Sequence, residues 1–121
     1  MDARTRIDVL LVTSGAIDLE VAQATVVFTV PAGKTCVITK VVMRSSTGAC
    51  DTVKVRCQFT AAGDVIALTA ALTLTITNNC IILTPISNAL MGVAAATFEV
   101  EVETVEDSAA EAIFDVWGYL F

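Results

Sequence analysis

Five features of this 121-residue chain have residue types and spacings that chemistry could use. Gly33-Lys34-Thr35 has the form of the tail of a nucleotide-binding loop, G-x-x-x-x-G-K-T, in which backbone N–H groups surround a phosphate and a following helix completes the site. Glu99, Glu101 and Glu103 stand at alternate positions, and Glu106, Asp107 and Glu111 gather around a turn; grouped carboxylates bind hard cations such as calcium. Cys57 carries a nucleophilic atom. Trp117 and Tyr119, two residues apart, share one side of a strand and offer a platform on which a sugar ring could stack.

Each group also has a plainer explanation in the elements that must position it. The first glycine of a phosphate loop would fall at residue 28, which is Phe28. The run after Thr35, Cys36-Val37-Ile38-Thr39-Lys40-Val41-Val42-Met43, is β-branched and favours a strand over the required helix. Pro31-Ala32-Gly33-Lys34 therefore reads as the corner of a β-hairpin, with Gly33 free to take a positive φ. The glutamate row lies on a flat strand face, where side chains splay apart, so it reads as a solvated, salt-bridged surface. Glu106, Asp107 and Glu111 surround a loop and make the better calcium candidate. Cys57 falls on the apolar side of its run and reads as packing. Trp117 and Tyr119 read first as a sheet cover at a subunit contact and second as a sugar platform. The chain has no histidine, so the usual general base and the ligands of a histidine-based metal centre are missing. No catalytic residue, cofactor site or metal site is assigned, and an enzyme is not expected.

The elements themselves are strands. Eight runs of period-two alternation are set off by turn residues: Arg6 to Val12, Ala24 to Val30, Thr35 to Arg44, Thr52 to Phe59, Val65 to Ile76, Cys80 to Leu83, Thr97 to Val105 and Ile113 to Phe121. Residues 106–112, EDSAAEA, could hold one helical turn capped by Asp107 or Ser108. In the fourth run Val53, Val55, Cys57 and Phe59 share one face, with Lys54, Arg56 and Gln58 on the other. In the seventh, Phe98, Val100 and Val102 oppose Glu99, Glu101 and Glu103. Three outward glutamates need compensation, and only the fourth run supplies two outward cations in succession. Pairing the two runs sets Lys54 and Arg56 against the acidic row. An eight-stranded jelly-roll β-sandwich places its fourth and seventh strands side by side, with the second and fifth in the same sheet. The expected fold is therefore all-β, a single-domain jelly roll, with an immunoglobulin-like sandwich as the alternative. Residues 1–20 form an N-terminal strand and arm, and 21–121 the rest of the sandwich.

Composition narrows the function. Hydrophobic residues make up 55% and charged residues 17%, richer in apolar side chains than an ordinary domain. The net charge of −6 disfavours nucleic acid. No charged residue lies between Val65 and Phe98, and Cys80 to Phe98 has the length of a membrane span. Pro85, Ser87, Asn88 and Gly92 interrupt it and no basic residue flanks it, so no membrane is expected. MDARTR lacks the apolar stretch of a signal peptide, so the chain is expected in a cytoplasm. Cys36, Cys50, Cys57 and Cys80 show no C-x-x-C spacing and read as free thiols, with a Cys50–Cys80 bridge as the alternative.

The segments TVPAGKT at Thr29 to Thr35, the β-branched strand ending at Arg44, and FDVWGYLF at Phe114 to Phe121 resemble small β-sandwich proteins of tailed bacteriophages, over roughly a fifth of the chain. The resemblance implies a virion structural protein of the head decoration, or cement, type. It would sit on the capsid surface after assembly in the host cytoplasm, bind the major capsid protein, and form a trimer or dimer. Tail or fibre domains that bind a receptor or carbohydrate are the alternative within the resemblance. The partner-binding residues expected on either reading are Ile86, Asn88, Leu90, Met91, Trp117 and Tyr119.

Overall fold

The computed structural model describes residues 8–121 except 48, 51, 70, 71, 74, 75, 78, 79, 84–89, 107 and 108. The described residues form strands and turns, with no helix. In chain order the strands are β1 (Val9–Thr13), β2 (Ile17–Asp18), β3 (Ala24–Thr29), β4 (Cys36–Thr47), β5 (Ala49–Cys50), β6 (Lys54–Ala61), β7 (Asp64–Leu68), β8 (Leu72–Thr73), β9 (Ile76–Thr77), β10 (Cys80–Leu83), β11 (Leu90–Gly92), β12 (Thr97–Thr104) and β13 (Glu111–Leu120).

Two antiparallel sheets pack into a β-sandwich. Sheet A runs β1-β13-β4-β10, with β11 beside β4 and β2 beside β13. Sheet B runs β3-β12-β6-β7, with β8 beside β6. The second, seventh, fourth and fifth sequence runs thus lie in one sheet in that order, and the first, eighth, third and sixth in the other. Both sheets turn alternate side chains inward. Ile38, Val41, Met43, Phe114 and Val116 come from sheet A, and Val55, Cys57, Phe59, Phe98 and Val100 from sheet B. Phe59 and Phe98, directly opposite in register, meet edge to face with centroids 5.2 Å apart. Such a pair adds about 1 kcal/mol to the burial of its rings.

Where the fold departs from the sequence reading, a local cause is visible. The Pro31–Lys34 turn forms, with Lys34 N–H donating to Pro31 O at 3.2 Å and Gly33 at φ +73°. A positive φ at the third residue alone is the type II arrangement, which glycine accepts without strain. It is not a hairpin corner, however: β3 pairs with β12 and β4 with β13, so the turn carries the chain from one sheet to the other. The fifth run is not one strand. Thr69 breaks it, because its hydroxyl takes the Cys57 N–H at 3.0 Å while its own N–H donates to Cys57 O. Its two halves, β7 and β8, pair separately along β6, and β9 leaves to pair with β5. Cys80 to Phe98 holds β10, β11 and the start of β12, and among the described residues no helix is long and apolar enough to cross a membrane. Ala109 and Ala110 are not helical; the proposed caps Asp107 and Ser108 lie outside the described residues.

The alternation of β4 changes phase within the run. A β-bulge causes the change: Gly118 stands opposite Ile38 and Trp117 opposite Lys40, leaving Thr39 as the extra residue. Cys36 and Ile38 face the core before the bulge, Val41 and Met43 after it. Gly118 makes this close approach feasible, because a Cβ there would lie 1.9 Å from Val37 O.

The stretch before Glu20 is largely part of the sandwich. β1 pairs with β13, and Ile17 and Leu19 are buried in the core. Residues 1–7, where an arm would begin, lie outside the described residues.

Candidate interaction face

β13 alternates strictly. Ala112, Phe114, Val116 and Gly118 are buried, while Ile113, Asp115, Trp117 and Tyr119 turn to the outer face of sheet A. Neighbouring strands extend this column into rows. In one row Leu10 of β1, Trp117 and Lys40 of β4 stand side by side. Lys40 Nζ lies 5.0 Å from the centre of the Trp117 ring, a cation–π distance. In the adjoining row Tyr119, Val37 and Met91 line up across β13, β4 and β11. Val37 is only 4% exposed although it faces outward, closed between its two neighbours, whereas Met91 is 55% and Leu10 47% exposed. Phe121 packs obliquely on Tyr119 with centroids 6.2 Å apart. The face is therefore an apolar and aromatic shelf spanning four strands.

Its polar end is closed by Asp115. The carboxylate accepts from Arg44 Nε at 3.0 Å, Arg44 Nη2 at 3.3 Å and Thr13 Oγ1 at 2.9 Å. The Arg44 hydrogen bond, aided by Thr13 and the Arg44 charge and opposed by partial burial, holds its pKa below the ordinary carboxylate value. The Thr39 hydroxyl at the bulge donates to Asp8 Oδ2 at 2.6 Å. The exposed surface of the shelf offers apolar contact area.

The outer face of sheet B is of the opposite kind. Glu101 stands opposite Arg56, and Glu99 opposite Gln58. Arg56 reaches Glu101 at 3.2 Å and Glu103 at 3.6 Å, while Lys54 reaches Glu103 at 3.8 Å. The pairing read from charge alone is present. Glu99 instead accepts a hydrogen bond from Thr97 Oγ1 at 3.2 Å. Gln58 departs from expectation: it is buried, and its Oε1 finds no partner among the described residues.

The remaining candidates separate. Lys34 is followed by β4, not a helix, so Gly33-Lys34-Thr35 lacks the phosphate-binding element. Glu106 turns inward and is buried; Thr52 N–H, Thr52 Oγ1 and Val53 N–H donate to its carboxylate at 3.0, 3.0 and 3.1 Å. Glu111 lies in β13 opposite Asp18 and is exposed, so these two carboxylates do not converge. Burial pushes the Cys57 thiol up to about 12 and Cys36 to about 11, which keeps both protonated and inert. Cys50 is buried; a bridge to Cys80 involves a side chain outside the described residues.

Of the expected partner-binding residues, Met91, Trp117 and Tyr119 come together on the shelf. Leu90 pairs with Ile38, and Ile86 and Asn88 lie outside the described residues. Sequence reasoning missed Leu10, Val37 and Lys40. The available signal was Lys40, the one charge within an apolar run and an unlikely core residue. No protein-family profile, no curated protein and no solved structure matches this chain.

Proposed function

We propose that this chain is a virion structural protein of a tailed bacteriophage that decorates the capsid surface and stabilises its lattice. It would bind the major capsid protein as a homo-oligomer, with no catalytic step. The strand orders of the two sheets support a jelly-roll wiring for the sandwich. The single observation that carries the reading is the shelf on sheet A: Leu10, Trp117, Tyr119 and Met91 form a contiguous apolar surface over four strands. Contiguous apolar surface rimmed by polar groups marks a contact with another macromolecule. Tryptophan and tyrosine are the residues that most often anchor such contacts. The charge-free segment from Val65 to Phe98 supplies β11 beside the shelf, so a capsid surface would meet no carboxylate there. Many such weak contacts repeated over a lattice add to a strong one.

Expanded capsid shells lacking the protein test the reading. Saturable uptake of the purified chain and a higher shell melting temperature are expected. No saturable uptake and no gain in shell stability would end it. The second reading, a receptor- or carbohydrate-binding module of a tail or fibre, draws on the shared orientation of Trp117 and Tyr119. Lys40 over the Trp117 ring weakens it, since the ammonium competes for an aromatic face that sugar stacking uses. A glycan array separates the two readings.

A further inference from the structure

Sheet B is open along β3. β12 flanks it on one side, and among the described residues no strand pairs with the other side. Val102 N–H donates to Gln23 O at 2.8 Å, and Thr25 stands opposite Val100. Hydrogen-bonded residues alternate in an antiparallel ladder with residues whose amides point the other way. The N–H and C=O groups of Ala24 and Val26 therefore point out of the sheet, and Val26 is 54% exposed. A groove of about 220 Å³ runs beside this edge, between the connection from Thr13 to Ile17 and residues Thr25 to Val27.

Exposed edges usually carry a charge or a proline that discourages pairing. Here no charged residue and no proline occurs from Val21 to Val30; a bulge at Val27 is the one irregularity.

We propose that β3 pairs with β3 of a second copy, antiparallel across a two-fold axis at Thr25. Ala24 of each copy then stands opposite Val26 of the other, and their outward amides and carbonyls form the new ladder. The two sheets B join into one continuous sheet, the contact being isologous. Charge selects this occupant. Each copy carries −6, so copies repel wherever carboxylates face one another. On the neighbouring strand Glu99 and Glu101 stand one strand back from this edge, behind Val26 and Ala24. A basic partner would find no carboxylate on β3 to pair with, and a neutral, self-complementary strand fits it best. An edge of six residues makes a small contact, at the lower end of specific interfaces, which implies a reversible dimer.

This inference rests on the homo-oligomer part of the capsid reading, and its test fails separately. Sedimentation velocity over rising concentration should show a monomer–dimer equilibrium. Val26→Lys places a charge at the joint, and Ala24→Pro removes an amide that only the dimer uses. Each variant should keep its far-ultraviolet spectrum and raise the dimer dissociation constant by about 10-fold or more. In the unaltered chain, hydrogen exchange at Ala24 and Val26 should slow as concentration rises. A chain that stays monomeric throughout, a dimer indifferent to both variants, or exchange at these amides independent of concentration would overturn the proposal. Loss of shell uptake with the dimer intact would count against the capsid reading alone.

Discussion

The two outer faces of this sandwich are built on the same pleat and carry opposite chemistry. On sheet B, long charged side chains neutralise one another across the ladder, Arg56 with Glu101 and Glu103, Lys54 with Glu103. On sheet A, the corresponding rows hold Leu10, Trp117, Tyr119, Val37 and Met91, with Lys40 folded onto an aromatic ring. A face that satisfies its own charges is finished in water. A face that leaves Leu10 and Met91 about half exposed keeps apolar area open to contact. The core demands alternation from both sheets alike; the outward residues are where the two could diverge.

The largest expected effect breaks the sheet A face outright. Gly118→Ala would place a Cβ 1.9 Å from the backbone oxygen of Val37, which cannot swing aside as a side chain can. Separation of β13 from β4 at the bulge should cost about 4 kcal/mol or more, read as unfolding or a large drop in melting temperature. Next in size, Trp117→Ala should lower affinity for capsid shells about 10- to 100-fold, as loss of an anchoring aromatic does, while Glu101→Ala should leave it unchanged. Equal losses from both would erase the distinction between the faces. Third, Arg56→Ala removes two partly exposed ion pairs and should cost about 1 kcal/mol in denaturant melts at low salt. The difference should shrink as salt rises.

The smallest effect sharpens the polar end of the shelf. Asp115 has its folded pKa lowered, chiefly by the Arg44 hydrogen bond, so its ionised form favours the fold. That contribution is fully present above the ordinary carboxylate value of 3.8 and is lost as pH falls through the lowered value. Melting temperatures of the protein and of Asp115→Asn should therefore differ at neutral pH and converge in acid. Divergence toward low pH would reverse the assigned sign.

Sheet B was readable from sequence because its two middle strands alternate cleanly and carry complementary charge. The faces of β6 and β12, and their adjacency, follow from Lys54, Arg56 and the glutamate row alone. Sheet A was harder. The run Cys36 to Met43 does not keep one phase of its period of two, since the bulge at Thr39 shifts it, and a bulge depends on the partner strand. The turn at Gly33 was legible as local chemistry, but its destination was not: nothing within the tetrapeptide specifies which sheet the next strand joins. The fifth run hid the break at Thr69, whose hydroxyl replaces a ladder bond only because Cys57 lies across from it. Trp117 and Tyr119 were visible as an i, i+2 pair. Their union with Met91 and Leu10 depends on pairings of β13 and β4 with distant strands, which no local pattern encodes. Gln58 shows the converse, a polar residue in an outward position whose burial is set by its surroundings.

The order of sheet A also bears on how the chain is made. β13, the last strand in the sequence, lies between β1 and β4. Until it leaves the ribosome, β1 lacks its one ladder partner among the described strands and Phe114 is absent from the core. Completion of sheet A must then wait for every strand between β1 and β13, and closure of such distant strands is slow compared with local hairpins. During that wait the nascent chain displays greasy, unpaired strands, the condition in which chaperone capture competes with aggregation.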